Sequence, residues 1–224
     1  EEYNLKIIED NAESLGGKYK NKLLGTIGDL GILSFFANKI ITTGEGGAII
    51  TDDENIANRA RILRDHGMSK EKRYHHIDLG FNYRMTNMQA AIGLAQLEKL
   101  DENLFLRKKQ MDFYYENLIG INGVHLREFS YWTEPVHWLM TLSIDSQENS
   151  KNFINFMKNH EIDVRPMINP VHKAEHFIDE FKQDNFPNSE KISRESFHLP
   201  SSTSLNMKDL KKIVSMVKKF IENC

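Results

Sequence analysis

Cysteine is all but absent from this chain of 224 residues: the only one is the final residue, Cys224. One thiol closes no intrachain disulfide, so stability has to come from packing, and a reducing compartment, the cytoplasm, is the expected home. Proline is scarce, at 5 residues, and with 13 glycines it falls far short of a fibrous or low-complexity composition. No apolar run approaches the ~20 residues needed to span a bilayer. The opening EEYNLKIIED has neither the basic start nor the small-residue cleavage site of a signal peptide, so no targeting segment and no membrane partner is expected. A surplus of charge is missing too: 29 Lys+Arg against 32 Asp+Glu leave a net charge of -3. Such a chain sets up no field to draw in phosphate backbones, and nucleic acid is not an expected partner.

What is present is ordinary globular material, 40% hydrophobic and 27% charged, enough for one large domain or two smaller ones. Short β-like apolar runs at 5–8 (LKII), 31–36 (GILSFF) and 47–50 (GAII) alternate with glycine-containing turns. Asp52 or Asp53 can cap a helix with Ile56, Ala60 and Leu63 on one face, ended by Gly67. Thr86 to Gln89 fits a capping box. From there Met88, Ile92, Ala95, Leu100, Leu104, Met111 and Leu118 keep helical spacing, which predicts one long helix or two with a bend near Asp101. Residues 120–135 carry turn residues without a sustained period and read as a passage between domains. The expected division is 1–119, part of a larger α/β domain, and 120–224, a smaller α+β domain. In the latter, Val136 to Ile144 alternates as a strand, Phe153, Phe156 and Met157 mark a helix, and DVRPM reads as a strand. Residues 206–221 predict a closing helix capped by Asn206, with Leu210, Ile213, Val214, Val217 and Phe220 inward and its lysines outward.

Taken singly, the chemistry-bearing residues are ambiguous. Glu9 and Asp10 stand at the carboxyl end of an apolar strand, where open α/β sheets bind ligands. Asp10 with Glu13 three residues on equally fits a helix N-cap. Lys39 follows the run SFFAN and precedes the glycine-rich TTGEGG, yet a lone lysine after a strand is commonly plain surface. GEGGAI is not a dinucleotide fingerprint, and no Walker sequence is present. His66, His75 and His76 lack metal-ligand spacing, so no metal is expected. Ser34 has no nucleophile-elbow context. Arg84 fits either an anion clamp or a structural ion pair. Trp132 and Trp138 read most simply as core.

Together these segments say more. IIEDNAESLGG, SFFANKIITTGEGGAIITDD, RARILRDHGMSKEKRYHH and LGFNYRMTNMQAAIGLAQLEKLD resemble consecutive blocks of the pyridoxal-phosphate-dependent nucleotide-sugar aminotransferases, the DegT/StrS family. Within it, SFFANKIITTGEGG and HGMSKEKRY ahead of GFNYRMTN are most like the perosamine synthases. The resemblance runs strongly from residue 5 to about 100 and more loosely through HWLMTLSID, DVRPMINPVH and FHLPSSTSL.

The resemblance implies an aspartate-aminotransferase-like (type I) α/β fold, here a partial large domain plus the smaller C-terminal α+β domain. It implies pyridoxal 5'-phosphate as cofactor, with Lys39 as the catalytic, Schiff-base lysine. Asp10 then pairs with the pyridine nitrogen, Glu13 lies beside the ring, Ser34 holds the phosphate, and Asn82 reaches the phosphate of a partner subunit. The implied reaction moves an amino group from an amino acid, glutamate in this family, to a nucleotide-linked 4-keto-6-deoxy sugar, in a homodimer. Sugar dehydratases of the same fold carry histidine where this chain has Lys39. Family members also carry a long portion ahead of the ED-x-A strand, with further strands and a phosphate-gripping loop. The chain is therefore expected to be a fragment that is silent by itself, the alternative being a non-catalytic interaction protein.

Overall fold

A computed structural model describes residues 2–145 and 147–223, without the side chains of 147–149; the lone cysteine, Cys224, lies outside them. In chain order the elements are β1 (Ile8–Asp10), β2 (Lys18–Tyr19), β3 (Lys22–Leu23), β4 (Leu30–Ser34), β5 (Gly47–Ile50), α1 (Glu54–Arg64), α2 (Asn87–Leu97) and α3 (Leu100–Leu118). There follow β6 (Val124–Leu126), β7 (Thr133–Glu134), β8 (Met140–Ile144), α4 (Gln147–Asn159), β9 (Arg165–Pro166), α5 (Pro187–Glu195), β10 (Ser196–Leu199) and α6 (Met207–Ile221). The chain divides into two compact units, Glu1–Phe105 with Phe129–Trp138, and Leu106–Glu128 with Leu139–Cys224. This differs from the division expected at 119/120. Helix α3 is shared between the units, and the stretch read as a passage contains β6 of one unit and β7 of the other.

In the first unit β4 is the middle strand, parallel to β1 and antiparallel to β5. The apolar run from Leu5 does not pair over its whole length. The Ile7 N–H donates to the Asp29 carboxylate at 2.8 Å instead of entering a ladder, and the same carboxylate meets Lys6 at 2.8 Å. That bond and charge raise the Lys6 pKa and lower that of Asp29. A second sheet, ordered β3-β2-β7, brings the returning segment onto the hairpin at 18–23. Helix α1 is capped by Asp53, whose carboxylate accepts from the Asn55 and Ile56 N–H groups. Its Ile56, Ala60 and Leu63 line an open apolar cleft of about 530 Å³ with Leu30, Ile49 and Phe81. The capping box of Thr86 and Gln89 opens α2. The predicted helical stretch is two helices, with the break at 98–99, close to the bend expected near Asp101.

The second unit is built on an antiparallel sheet ordered β6-β8-β10-β9. Strand β8 alternates as its sequence dictates, with Met140, Leu142 and Ile144 buried. It begins at Met140, so the expected strand loses residues 136–139, while the DVRPM strand shrinks to Arg165–Pro166. Phe197 and Leu199 of β10 add to the same core, and Phe153 of α4 stacks on Phe197 with centroids 4.4 Å apart. Helix α6 has a capping box of Asn206 and Asp209 and buries Leu210, Ile213, Val214, Val217 and Phe220, as their spacing predicts. Tyr114 of α3 is fully buried, and its hydroxyl donates to the Pro200 carbonyl at 2.8 Å. Burial pushes that hydroxyl's pKa well up. Among the described residues, no helix is long and apolar enough to cross a membrane.

Candidate active site

The site begins with the pleat of β1 and β4. Asp10 pairs with Ile32 across parallel strands, so the two side chains project to one face, and Ser34, two residues beyond Ile32, shares it. Glu9 pairs with Gly31 and projects to the other face. There its carboxylate accepts three backbone N–H groups, from Gly25 at 2.8 Å and from Ile27 and Gly28 at 2.6 Å. Burial works to raise the Glu9 pKa, but the three N–H groups outweigh it and hold the carboxyl below the usual range. The loop they belong to comes so close that a Cβ at Gly31 would stand 2.5 Å from the Gly25 carbonyl oxygen. Thus the Glu-Asp pair divides: Glu9 ties a loop to the sheet, and Asp10 alone faces the side of Ser34.

No helix follows Asp10, so the N-cap alternative is not realised. Its Oδ1 accepts from the Ala12 N–H at 3.1 Å in a local turn, and the carboxylate is otherwise exposed. Three residues on, Glu13 places Oε1 3.5 Å from the Lys39 Nζ. Lys39 sits in the turn after β4, its own N–H donating to the Phe36 carbonyl at 3.0 Å. Only 12% of its side chain is exposed, although it carries a charge. The Ser34 hydroxyl accepts the Phe36 N–H at 3.3 Å, which fixes its oxygen at the carboxyl end of β4.

Four of the five residues singled out by sequence therefore gather at the adjoining carboxyl ends of β1 and β4. Asn82 is placed elsewhere: it forms an isolated bridge with Asp65 just past α1, and among the described residues no hydrogen bond or ion pair joins it to the other four. Arg84 pairs with Asp65 at 3.1 Å, the structural alternative of its two readings. The His76 Nδ1 lies 2.8 Å from the His66 carbonyl oxygen. No group of three His, Cys, Asp or Glu among the described residues could hold a metal ion.

Sequence reading missed one member. Trp138, taken as core, lies with its ring centroid 3.8 Å from the Lys39 Nζ, and its Nε1 donates to the Asn38 carbonyl at 2.7 Å. Trp132 is not core either, being 43% exposed. The donor set as a whole is chemically particular: a carboxylate to face a ring nitrogen, a hydroxyl for a phosphate oxygen, and a shielded amine for an aldehyde. These groups fit pyridoxal phosphate, whose three reactive ends need those three partners.

The family model described as the DegT/DnrJ/EryC1/StrS aminotransferase family matches residues 1–218. A GDP-perosamine synthase of Escherichia coli O157:H7 is 34% identical over 217 residues, 97% of this chain and 58% of the relative. One from Caulobacter vibrioides is 36% identical over 216 residues, 95% of this chain and 58% of the relative. Among solved structures, the PLP form of Spr1654 from Streptococcus pneumoniae, described as a sugar aminotransferase, superimposes with a TM-score of 0.90 at 26% identity, covering 97% of this chain and 58% of that one. The chain thus spans rather less than three-fifths of the length of these relatives.

Proposed function

The chain belongs to the DegT/DnrJ/EryC1/StrS aminotransferase family, and on that premise we propose that it carries the catalytic lysine of a sugar aminotransferase acting on a nucleotide-linked 4-keto-6-deoxy sugar. Its fold is a partial aspartate-aminotransferase-like fold, and its cofactor is pyridoxal phosphate. The observation that carries the reading is the shielded Lys39 amine, 3.5 Å from Glu13, at strand ends that also present Asp10 and Ser34. When bound, pyridoxal phosphate supplies an electron sink for the carbon that exchanges nitrogen. Asp10 would accept the ring N–H and keep that nitrogen protonated. Ser34 would donate its hydroxyl to the phosphate. With the cofactor bound, the neutral Lys39 amine would take the proton from the donor amino acid's α-carbon and pass it on to the cofactor in the same half-cycle; in the second half it would take one back and deliver it to the sugar carbon that changes from keto to amine, ending each half as it began. Its low exposure leaves few waters to compete for that proton.

The amino donor is glutamate and the product a perosamine-type amino sugar, in keeping with the GDP-perosamine synthases among the relatives. Asn82, exposed and joined to the other four residues by no hydrogen bond or ion pair, serves a partner subunit's phosphate site in a cytoplasmic homodimer. The 224 residues by themselves do not turn over, because the first unit leaves too much of its apolar surface uncovered to hold the site still.

The test is amino transfer from glutamate to a GDP-linked 4-keto-6-deoxy sugar by the whole gene product, read by mass spectrometry. Turnover lost by at least about 10³-fold in Lys39→Ala supports the reading, since the proton-moving group is gone. Turnover unchanged in that variant, or no turnover in the unaltered protein, sinks it.

A further inference from the structure

We infer that Trp138 is a positioning residue for the Lys39 amine: its indole face holds the amine against Glu13. The inference rests on the assignment of Lys39 to the cofactor, and it concerns a side chain that composition and spacing had left in the core.

The returning segment 129–138 is fastened to the first unit at several points before it reaches Trp138. Strand β7 pairs with β2, the Lys20 N–H donates to the Trp132 carbonyl at 2.8 Å, and Lys18 meets Glu134 at 2.9 Å. Val136 packs beside Gly17, where an added Cβ would come within 3.3 Å of its methyl group. The segment therefore arrives at Trp138 with its path already set. The indole then touches the lysine turn in two ways, through the N–H to the Asn38 carbonyl and through the ring face, 3.8 Å from centroid to Nζ.

A lysine head rides on four rotatable bonds and wanders unless something holds it. Glu13 alone is a weak restraint, because its side chain is 58% exposed and its attraction is screened. An aromatic face attracts a cation through its quadrupole without offering a hydrogen bond, so it steers the ammonium while leaving its N–H donors and, once neutral, its lone pair available. Glu13 is one restraint on the ammonium and the indole is the other. That arrangement aims a reactive amine without tying it up.

The two contacts of the indole can be separated by substitution. Trp138→Phe keeps a ring face and loses the N–H to Asn38; Trp138→Leu loses both. Two measurements on the full chain read the result. The first needs no cofactor: lysines labelled with ¹³C at Cε, with the Lys39 signal assigned by its disappearance in Lys39→Arg. Protons above an aromatic face are shielded, so the Lys39 signal lies upfield of the other lysines, stays partly upfield in Trp138→Phe and returns to the ordinary position in Trp138→Leu. The second is borohydride trapping of added pyridoxal phosphate, with the label at each lysine counted by mass spectrometry. The share at Lys39 falls about 5-fold in Trp138→Leu and is rescued in Trp138→Phe.

An ordinary Lys39 shift in the unaltered chain overturns the inference. So does an equal loss of label in the Phe and Leu variants, which would place the effect in the hydrogen bond to Asn38, and so does no loss in either. If label shows no preference for Lys39 in the unaltered chain while its upfield shift is present and vanishes in Trp138→Leu, the positioning stands and the cofactor assignment fails.

Discussion

The two units handle their apolar residues in opposite ways. In the second, helices α3, α4 and α6 close over one face of a four-stranded sheet, and Tyr114, Leu118, Met140, Phe153, Met157, Phe197 and Val217 are almost wholly removed from water. In the first, among the described residues, Ile40 and Ile41 are the only buried hydrophobic side chains, at 8% and 3% exposure, and α1 and α2 bury none. Ile8 on β1 is 64% exposed, and Met88 on α2 is 77% exposed. Burying a large apolar side chain contributes roughly 1.5–3 kcal/mol, so the second unit has its stabilisation in hand. The first has little of it. The lesson is that the unit holding Asp10 and Lys39 is the one that buries less apolar surface.

The sharpest way to break this comparison is to cut each unit's apolar contacts. Phe153→Ala is expected to lower stability by about 3–5 kcal/mol in urea unfolding, since its ring lies between Phe197 and Phe220. Leu94→Ala, on an exposed face of α2, is expected to change it by no more than about 0.5 kcal/mol. Comparable losses from the two would mean that the first unit has a core after all. Next in size is the cap of α6: Asn206→Ala removes the acceptor for the Lys208 and Asp209 N–H groups and should cost about 1 kcal/mol in the same measurement.

Acid should distinguish the units as well. Glu9 titrates lower in the folded chain than in the unfolded one, so its contribution is complete above its ordinary pKa of 4.5 and is lost as pH falls through the lower folded value. Glu9→Gln is therefore expected to flatten the loss of protection of the 25–28 amides on acidification from about pH 5, read by hydrogen exchange, and to leave the β8 and β10 amides unaffected. The smallest effect is expected at the surface of α3. Breaking the exposed Lys108–Asp112 pair with Lys108→Ala should shift stability by about 0.3–0.5 kcal/mol.

What could be read from sequence follows the range of the interactions that decide it. Helix α6 was legible because its cap and its apolar spacing are local, and so was the Thr86 capping box. The break between α2 and α3 fell within two or three residues of the bend expected near Asp101. Strand β10, by contrast, was hidden: Ser196 to Leu199 becomes a strand by pairing with Met140 to Ser143, more than fifty residues earlier. Asp10, Glu13, Ser34 and Lys39 were named as a set from resemblance, each being ambiguous alone, and the structure places them at neighbouring strand ends. The opposed facing of Glu9 and Asp10 requires the register with β4, and the contact of Trp138 with Lys39 requires the path of the returning segment. No periodicity along the chain encodes either.

That path has a consequence in time. Asn38 and Trp138 are 100 residues apart, and the β7 strand that leads to Trp138 pairs with β2 over a separation of 116. At ~5–20 residues per second of synthesis, Lys39 leaves the ribosome roughly 5–20 s before the indole that will lie over it. During that interval the nascent chain displays an uncovered amine, and only the arrival of residues 129–138 completes its surroundings. The order of translation thus puts Asp10, Glu13, Ser34 and Lys39 on display together early, and brings the indole that shelters the amine last.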